Sequence, residues 1–330
     1  MALGADSTRC GEFHTAYQSD IRIFPTAMSR NVAIAGLVLL CLGPLVLSPY
    51  WLSLMIQIAY FGIAALGLNI LTGYSGQISL GHAAFFGVGA FASAWLNNSF
   101  GIPVLLCIPL AGLITAAVGL LFGLPAGRLK GMYLLIATLA AQYIIVDFFN
   151  RADWFSGGTA GSMAAPVSIF GFDFDTDQRF FYIALAFLVA ALLLTTNLMR
   201  SRDGRALVAL RDHYLSAEIM GINLAKYRIL AFGLSSFYAG IGGALYAHYL
   251  GYVSDEAFSL LLSVQFIGMI IIGGLGSVMG TVLGVIFMVM LPQVVTWLTA
   301  ALGPLAPSMG AVSYMQQIAI GLAIVLFLIF

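Results

Sequence analysis

Residues 72–82, TGYSGQISLGH, gather uncharged hydrogen-bonding groups between two long apolar runs. Gly73 and Gly76 permit tight or positive-φ backbone. Ser75, Gln77 and Ser79 can serve peptide groups that have left a helical ladder. His82 adds an imidazole, and Phe85 and Phe86 add apolar walls. No Lys, Arg, Asp or Glu occurs from 71 to 91. Such a set suits hydrogen bonding to a polar solute, or to broken backbone, where water is scarce. Two readings stand for the individual residues: lining of a solute pathway, or a tight loop whose small side chains let helices pack. The segment as a whole reads as a broken or re-entrant element along a pathway. Irregular backbone at membrane depth persists only where protein or a water-filled cavity covers it. His82 reads first as a hydrogen-bonded structural histidine at a helix start, and second as a polar pore residue.

A second chemistry is charge. Segment 199–228 holds Arg200, Arg202, Arg205, Arg211, Lys226 and Arg228, six of the chain's thirteen Lys and Arg. Within it Ala206, Leu207, Leu210, Tyr214, Ala217, Met220 and Gly221 recur near helical period. Two short helices broken near Gly221 fit this length. The apolar face among the charges favours a docking surface for a soluble partner over a solvated loop. A third pattern is the run GGLGSVMGTVLG, where Gly276, Gly280 and Gly284 recur every four residues. That spacing predicts one small-residue helix face for close packing in lipid. Gly240, Gly242 and Gly243 read the same way.

Catalytic and metal patterns are missing. The chain has no phosphate-binding loop, nucleophile elbow or zinc motif. Cys10, Cys41 and Cys107 are scattered, without a Cys pair or Cys/His cluster. Acids are sparse in the apolar runs. Asp147, near one run's end, reads as interfacial, and Asp255 and Glu256 as members of an external turn. If this chain moves solute uphill, energy enters from another polypeptide through 199–228.

The elements that must position these groups are membrane helices. Of 330 residues, 61% are hydrophobic and 8% charged, against about a quarter charged in soluble domains. Apolar runs at 31–47, 51–71, 81–97, 103–125, 131–149, 180–198, 229–250, 258–273, 280–298 and 314–330 approach the length that crosses a bilayer. Without period-two alternation they are not barrel strands. The expected fold is all-α, a polytopic transmembrane bundle of about 8–10 spans interrupted near 72–82. Placing the basic segment in the cytoplasm puts the N terminus and the 126–130 turn, with Arg128 and Lys130, inside as well. The acidic connection 150–179, with Asp153, Asp173, Asp175 and Asp177 against Arg151 and Arg179, then falls outside. Residues 1–30 read as a polar tail, with Met28 a second plausible start and no cleaved signal. Residues 31–330 read as one transmembrane domain. The stop at Phe330 inside an apolar run leads us to expect a shortened C terminus.

The stretch LGLNILTGYSGQISLGHAAFFGVGAF (66–91) resembles the signature of bacterial branched-chain amino-acid ABC transporter permeases, in their M-type form. Similar matches follow at 204–232, 239–254 and 273–280, in order. The resemblance covers about residue 60 to the C terminus and leaves the first 30 residues outside it. It implies a non-enzymatic permease subunit of an ATP-driven importer in the bacterial inner membrane. It also implies an H-type permease partner, two ATPase subunits and a periplasmic solute-binding protein. ATP and Mg would sit on the ATPases, with no cofactor on this chain. Carried over, 204–223 would be the ATPase-coupling segment, with Gly204, Arg205, Arg211, Asp212, Glu218 and Gly221 its site residues, although a literal EAA is absent. The alternatives are a urea or short-chain amide permease of similar type and, in another class, a passive channel.

Overall fold

A computed structural model describes residues 27–127, 129, 131–169, 172–174, 176–301 and 309–329. Arg128, Lys130 and Asp175, used above to orient the chain, lie outside the described residues, as does the tail before Ala27. The chain divides into two compact units, with the boundary between Val46 and Leu47. In the first, α1 (Ala27–Val46) is an apolar helix containing Pro44.

The second unit holds the remaining helices. They are α2 (Pro49–Leu68), continued by a π-helical turn (Asn69–Tyr74), then α3 (His82–Phe100), α4 (Val104–Ala126) and α5 (Met132–Arg151). A short α6 (Asp153–Ser156) leads to α7 (Asp177–Arg200). Two short helices follow, α8 (Arg202–Asp212) and α9 (Tyr214–Ile219). The chain then enters α10 (Leu224–Leu250), α11 (Leu260–Gly273), α12 (Val278–Ala301) and α13 (Met309–Ile329). Among the described residues seven helices are long and apolar enough to cross a membrane. The protein is a polytopic helical membrane protein. Each of the ten apolar runs carries a helix, but α11 has only 14 residues. At 1.5 Å per residue it is roughly 21 Å long, short of a ~30 Å hydrocarbon core.

The core forms where small residues admit neighbouring backbones. Long α10 lies at its centre, packed on α2, α3 and α4. A Cβ added at Gly242 would sit 2.6 Å from the Tyr60 carbonyl, and one at Gly240 would sit 3.0 Å from the Gly112 Cα. Around these contacts Phe86, Phe91, Phe149, Phe232, Phe258 and Phe266 are fully buried. In lipid, such close van der Waals packing drives helix association in place of the hydrophobic effect.

Connections sort to two ends of this unit. At one end Arg228 Nη1 donates to the Gly127 carbonyl at 3.3 Å, and Arg211 Nη1 to the Gly73 carbonyl at 2.8 Å. At the other, β1 (Ser162–Met163) pairs antiparallel with β4 (Tyr252–Val253). There Asn98 Nδ2 also donates to the Met163 carbonyl at 2.8 Å. The second small pair, β2 (Ser168–Ile169) with β3 (Phe172–Asp173), lies in the same connection. The basic connection and the acidic one therefore occupy opposite ends, as the charge pattern predicts. Asp147 is exposed and salt-bridged to Arg151 at 2.8 Å, which fits its interfacial reading. Asp255 and Glu256 stand in a single 3-10 turn.

Two expectations are corrected. Gly276 does not share a helix face with Gly280 and Gly284, because it precedes α12 and takes φ +78°. Its four-residue spacing coincides with the helical period, but Gly274 at φ +98° has already broken the helix. Gly280 and Gly284 do pack α12 onto the Gly273 backbone of α11. The basic segment breaks at His213, whose φ of −149° and ψ of 84° are not helical. Gly221, at φ +86°, instead ends the second short helix.

Candidate functional site

The uncharged stretch forms a break in the bundle. The π-helical turn widens the last coil of α2 and ends at Ser75. Ser75 N, Gly76 N and Gln77 N then donate to the carbonyls of Ile70, Thr72 and Leu71 at 3.0–3.2 Å. Gly76 has φ +72°, where a side chain would be strained. From there the chain turns back into the bundle, and α3 starts beside Ala64. His82 Nε2 lies 2.8 Å from the Ala64 carbonyl and donates to it as the Nε2–H tautomer. Ala64 precedes Tyr74 by ten residues, so α3 begins roughly 15 Å short of the turn's end.

A helix starting at that depth has unsatisfied N–H groups and no water to bind them. Side chains from other helices supply the acceptors. Ala83 N donates to Ser263 Oγ of α11 and Ala84 N to Gln142 Oε1 of α5, both at 2.9 Å. Gln142 Nε2 donates in turn to the Phe258 carbonyl at 2.7 Å. Leu80 N donates to Thr138 Oγ1 at 3.1 Å. Gln142 and His82 are each 1% exposed and Ser263 is fully buried, so this cap is dry. The arrangement is a discontinuous helix fixed from three directions.

The break is also clamped to the turn between α11 and α12. Fully buried Asn69 accepts from Gly276 N at 2.9 Å and donates to the Ser277 carbonyl at 3.1 Å. One side-chain amide thus ties the end of α2 to a turn more than 200 residues away. Arg211 of α8 closes the same junction. Its Nη1 reaches the Gly73 carbonyl while its Nε donates to Asp212 Oδ1 at 2.9 Å.

The expected site residues therefore fall into three places. Ser75, Gly76 and Gln77 line a cavity of about 210 Å³ with Arg211 and Arg228. Ser79, His82, Phe85 and Phe86 are buried in the protein instead. Phe86 stacks within a cluster that includes Tyr60, Phe61, Tyr246 and Phe266. Of the coupling set, Arg205, Asp212, Glu218 and Gly221 are exposed. Gly204 is buried against the backbone of Leu198 and Met199, where it lets α8 turn closely after α7. The expected apolar face is divided. Ala206, Leu207, Leu210 and Ala217 are buried, whereas Met220 is 82% exposed beside Ile219 at 86%. A groove of about 530 Å³ runs along this segment between Arg202, Arg205, His213, Met220 and Tyr227.

Sequence reasoning passed over Asn69, Thr138, Gln142 and Ser263. Their only signal is that each is a polar residue set among apolar ones. Among the described residues no cluster of His, Cys, Asp and Glu could hold a metal ion.

Comparison with known proteins fits this architecture. No solved structure matches the chain. It is 31% identical to the high-affinity branched-chain amino acid transport system permease protein LivM of Salmonella typhimurium, over 80% of this chain and 68% of that one. LivM of Escherichia coli matches to the same extent. The autoinducer 2 import system permease protein LsrC of Salmonella paratyphi B is 24% identical, over 62% of this chain and 58% of its own length. The family described as branched-chain amino acid transport system / permease component matches residues 50–328, so this chain, with its discontinuous helix and basic outlying segment, belongs to that permease family.

Proposed function

We propose that this chain is the M-type permease subunit of an ATP-driven importer of branched-chain or related hydrophobic amino acids. It works with a second, H-type permease, two ATPase subunits and a solute-binding protein outside the membrane. ATP and Mg reside on the ATPases. The excess of Lys and Arg in 199–228 supports a cytoplasmic side for that segment in a bacterial inner membrane, and the same reading takes the N terminus to be cytoplasmic.

The observation that carries this reading is the Arg211 link. Its guanidinium joins a segment outside the spans to the last turn of a helix that breaks inside them. Docking of an ATPase on Arg205, Glu218 and the exposed Ile219–Met220 tip would move α8 and α9, and Arg211 would carry that motion to Gly73. The break can respond because, beyond the bonds of its π-helical turn, it is held by a few side-chain bonds through Asn69, Thr138, Gln142 and Ser263 and not by a continuous helical ladder. A transporter needs two packings of similar energy, and such an element supplies them. Solute passes along the broken segment, at the face shared with the second permease. His82 and Phe86 hold that segment from behind.

The test is uptake by the reconstituted complex. Arg205→Glu and Glu218→Lys are expected to abolish ATP-driven leucine uptake while leaving membrane insertion intact. Normal uptake in both variants would remove the coupling role. Competition by leucine, but not by urea, distinguishes the amino-acid substrate from a small amide. Full-rate flux through this chain alone in liposomes would mark a passive channel instead.

A further inference from the structure

Between Ala160 and Ala165 the acidic connection is bonded to the last turn of α10 and to β4. Ala164 N donates to the Gly251 carbonyl at 2.9 Å, Tyr252 Oη donates to the Ala160 carbonyl at 2.8 Å, and β1 pairs with β4. The buried member of this set is His248. Its side chain is 4% exposed, with Nδ1 2.7 Å from the Ala165 carbonyl and Nε2 2.7 Å from Ser93 Oγ of α3. A carbonyl only accepts, so Nδ1 carries the hydrogen. Nε2 of the neutral ring then accepts from the hydroxyl of Ser93, which is fully buried. One imidazole thus joins three pieces: the connection, α10 and α3.

Both helices lead from this junction to the opposite end of the bundle. α10 runs unbroken for 27 residues, about 40 Å, and only residues 220–223 separate its start from α9. α3 starts at the break, at His82. The two helices touch backbone to backbone. A Cβ added at Gly89 would meet the Gly240 backbone, and one added at Gly243 would meet the Phe86 carbonyl. Packing this close transmits a displacement of one helix to the other. Beside the imidazole a cavity of about 130 Å³, lined by Pro166, Phe174, Phe180 and Tyr249, leaves the connection room to shift.

We infer that His248 is a positioning residue that couples the acidic connection to the ATPase-docking segment. Seating of the solute-binding protein on the connection passes through the imidazole to α10, and so to α9 and α8. Through Ser93 it passes to α3 and the break. His248 touches no solute and acts only through the elements it joins. Coupling between two sites is reciprocal, so movement of α8 and α9 is felt at the connection as well. What presses on the connection rests on the import reading above, whereas the three-way junction does not.

The experiment measures ATP hydrolysis by the complete importer in nanodiscs, with and without its solute-binding protein loaded with L-leucine. His248→Phe removes both bonds of the ring. His248→Asn keeps a donor near the Nδ1 position and loses the Ser93 bond, and Ser93→Ala removes that bond from the other side. The loaded protein is expected to raise hydrolysis about fivefold in the unaltered complex and less than twofold in His248→Phe, with hydrolysis in its absence unchanged. His248→Asn and Ser93→Ala should give equal intermediate values, and the double variant should match either one. Full stimulation in His248→Phe would overturn the inference. So would equal loss of stimulated and unstimulated hydrolysis in all three single variants, which would mark a merely structural latch. Absence of both ATP-driven uptake and stimulation in the unaltered complex would sink the import reading instead. Hydrogen exchange on the full chain in nanodiscs then decides the junction: His248→Phe should speed exchange at Ala164 at least tenfold, and unchanged exchange would remove the fastening.

Discussion

Arg211 holds two oxygens at once, the Gly73 carbonyl and Asp212 Oδ1, 2.8 and 2.9 Å from its nitrogens. Only a planar fork with several donors spans that pair. Lysine carries the same charge on a single nitrogen and cannot reproduce the geometry. Arg211→Lys is therefore expected to lower ATP-driven uptake by tenfold or more, with ATP hydrolysis by the complex largely retained. Parallel loss of hydrolysis and uptake would show that the residue serves ATPase docking and not transmission. Asn69 makes a sharper case for stability. Replacement by Leu strips Gly276 N and the Ser277 carbonyl of their partners in a part-buried place. An unmet buried group costs ~1–3 kcal/mol. Asn69→Leu should lower the thermal unfolding midpoint in detergent clearly, whereas the exposed Ser216→Ala should leave it unchanged.

The discontinuous helix asks the same question of a whole element. α3 can start inside the bundle only because Gln142 and Ser263 accept its first N–H groups. Gln142→Leu keeps the volume near and removes the acceptor. It is expected to destabilise the chain by ~1–3 kcal/mol and to raise hydrogen exchange at Ala83 and Ala84. Unchanged exchange there would show that the cap is dispensable. The α11–α12 contact gives a second element-scale prediction. Gly280 lies against Gly273, so Gly280→Leu wedges two helices of the same chain apart. The expected result is misfolding of this subunit, seen as aggregation on size exclusion, before any failure of assembly with partners. The positions of most helices could be read from apolar runs of bilayer length, and the break could be read from its Gly, Ser and Gln content. The cap could not, because its partners lie 58 and 180 residues away and nothing local specifies them. Gly276 misled for a related reason: periodicity of four describes a helix only until positive-φ glycines interrupt it.

At the scale of the molecule, the two ends of the bundle differ in charge, and that difference should fix how the chain sits in a membrane. The segment with Arg200, Arg202, Arg205 and Arg211 joins one end, and the paired strands at 162–163 and 252–253 mark the other. One helix, α10, separates exposed Ser216 from exposed Glu256. Positively charged connections are retained on the cytoplasmic side, so Ser216 should face the cytoplasm and Glu256 the exterior. Single Ser216→Cys and Glu256→Cys variants, treated with a membrane-impermeant maleimide on intact cells, should label at 256 and not at 216. The same reagent on inside-out vesicles should reverse the pattern. The native cysteines set the background, and the unaltered chain provides it in each preparation. Labelling of both sites from one side would mean that α10 does not cross, which would undo the opposed-ends architecture itself. The reversed pattern would leave the fold intact but put the Arg211 junction outside, beyond reach of any ATP-driven partner. The coupling proposal therefore depends on orientation as much as on the hydrogen bond that transmits it.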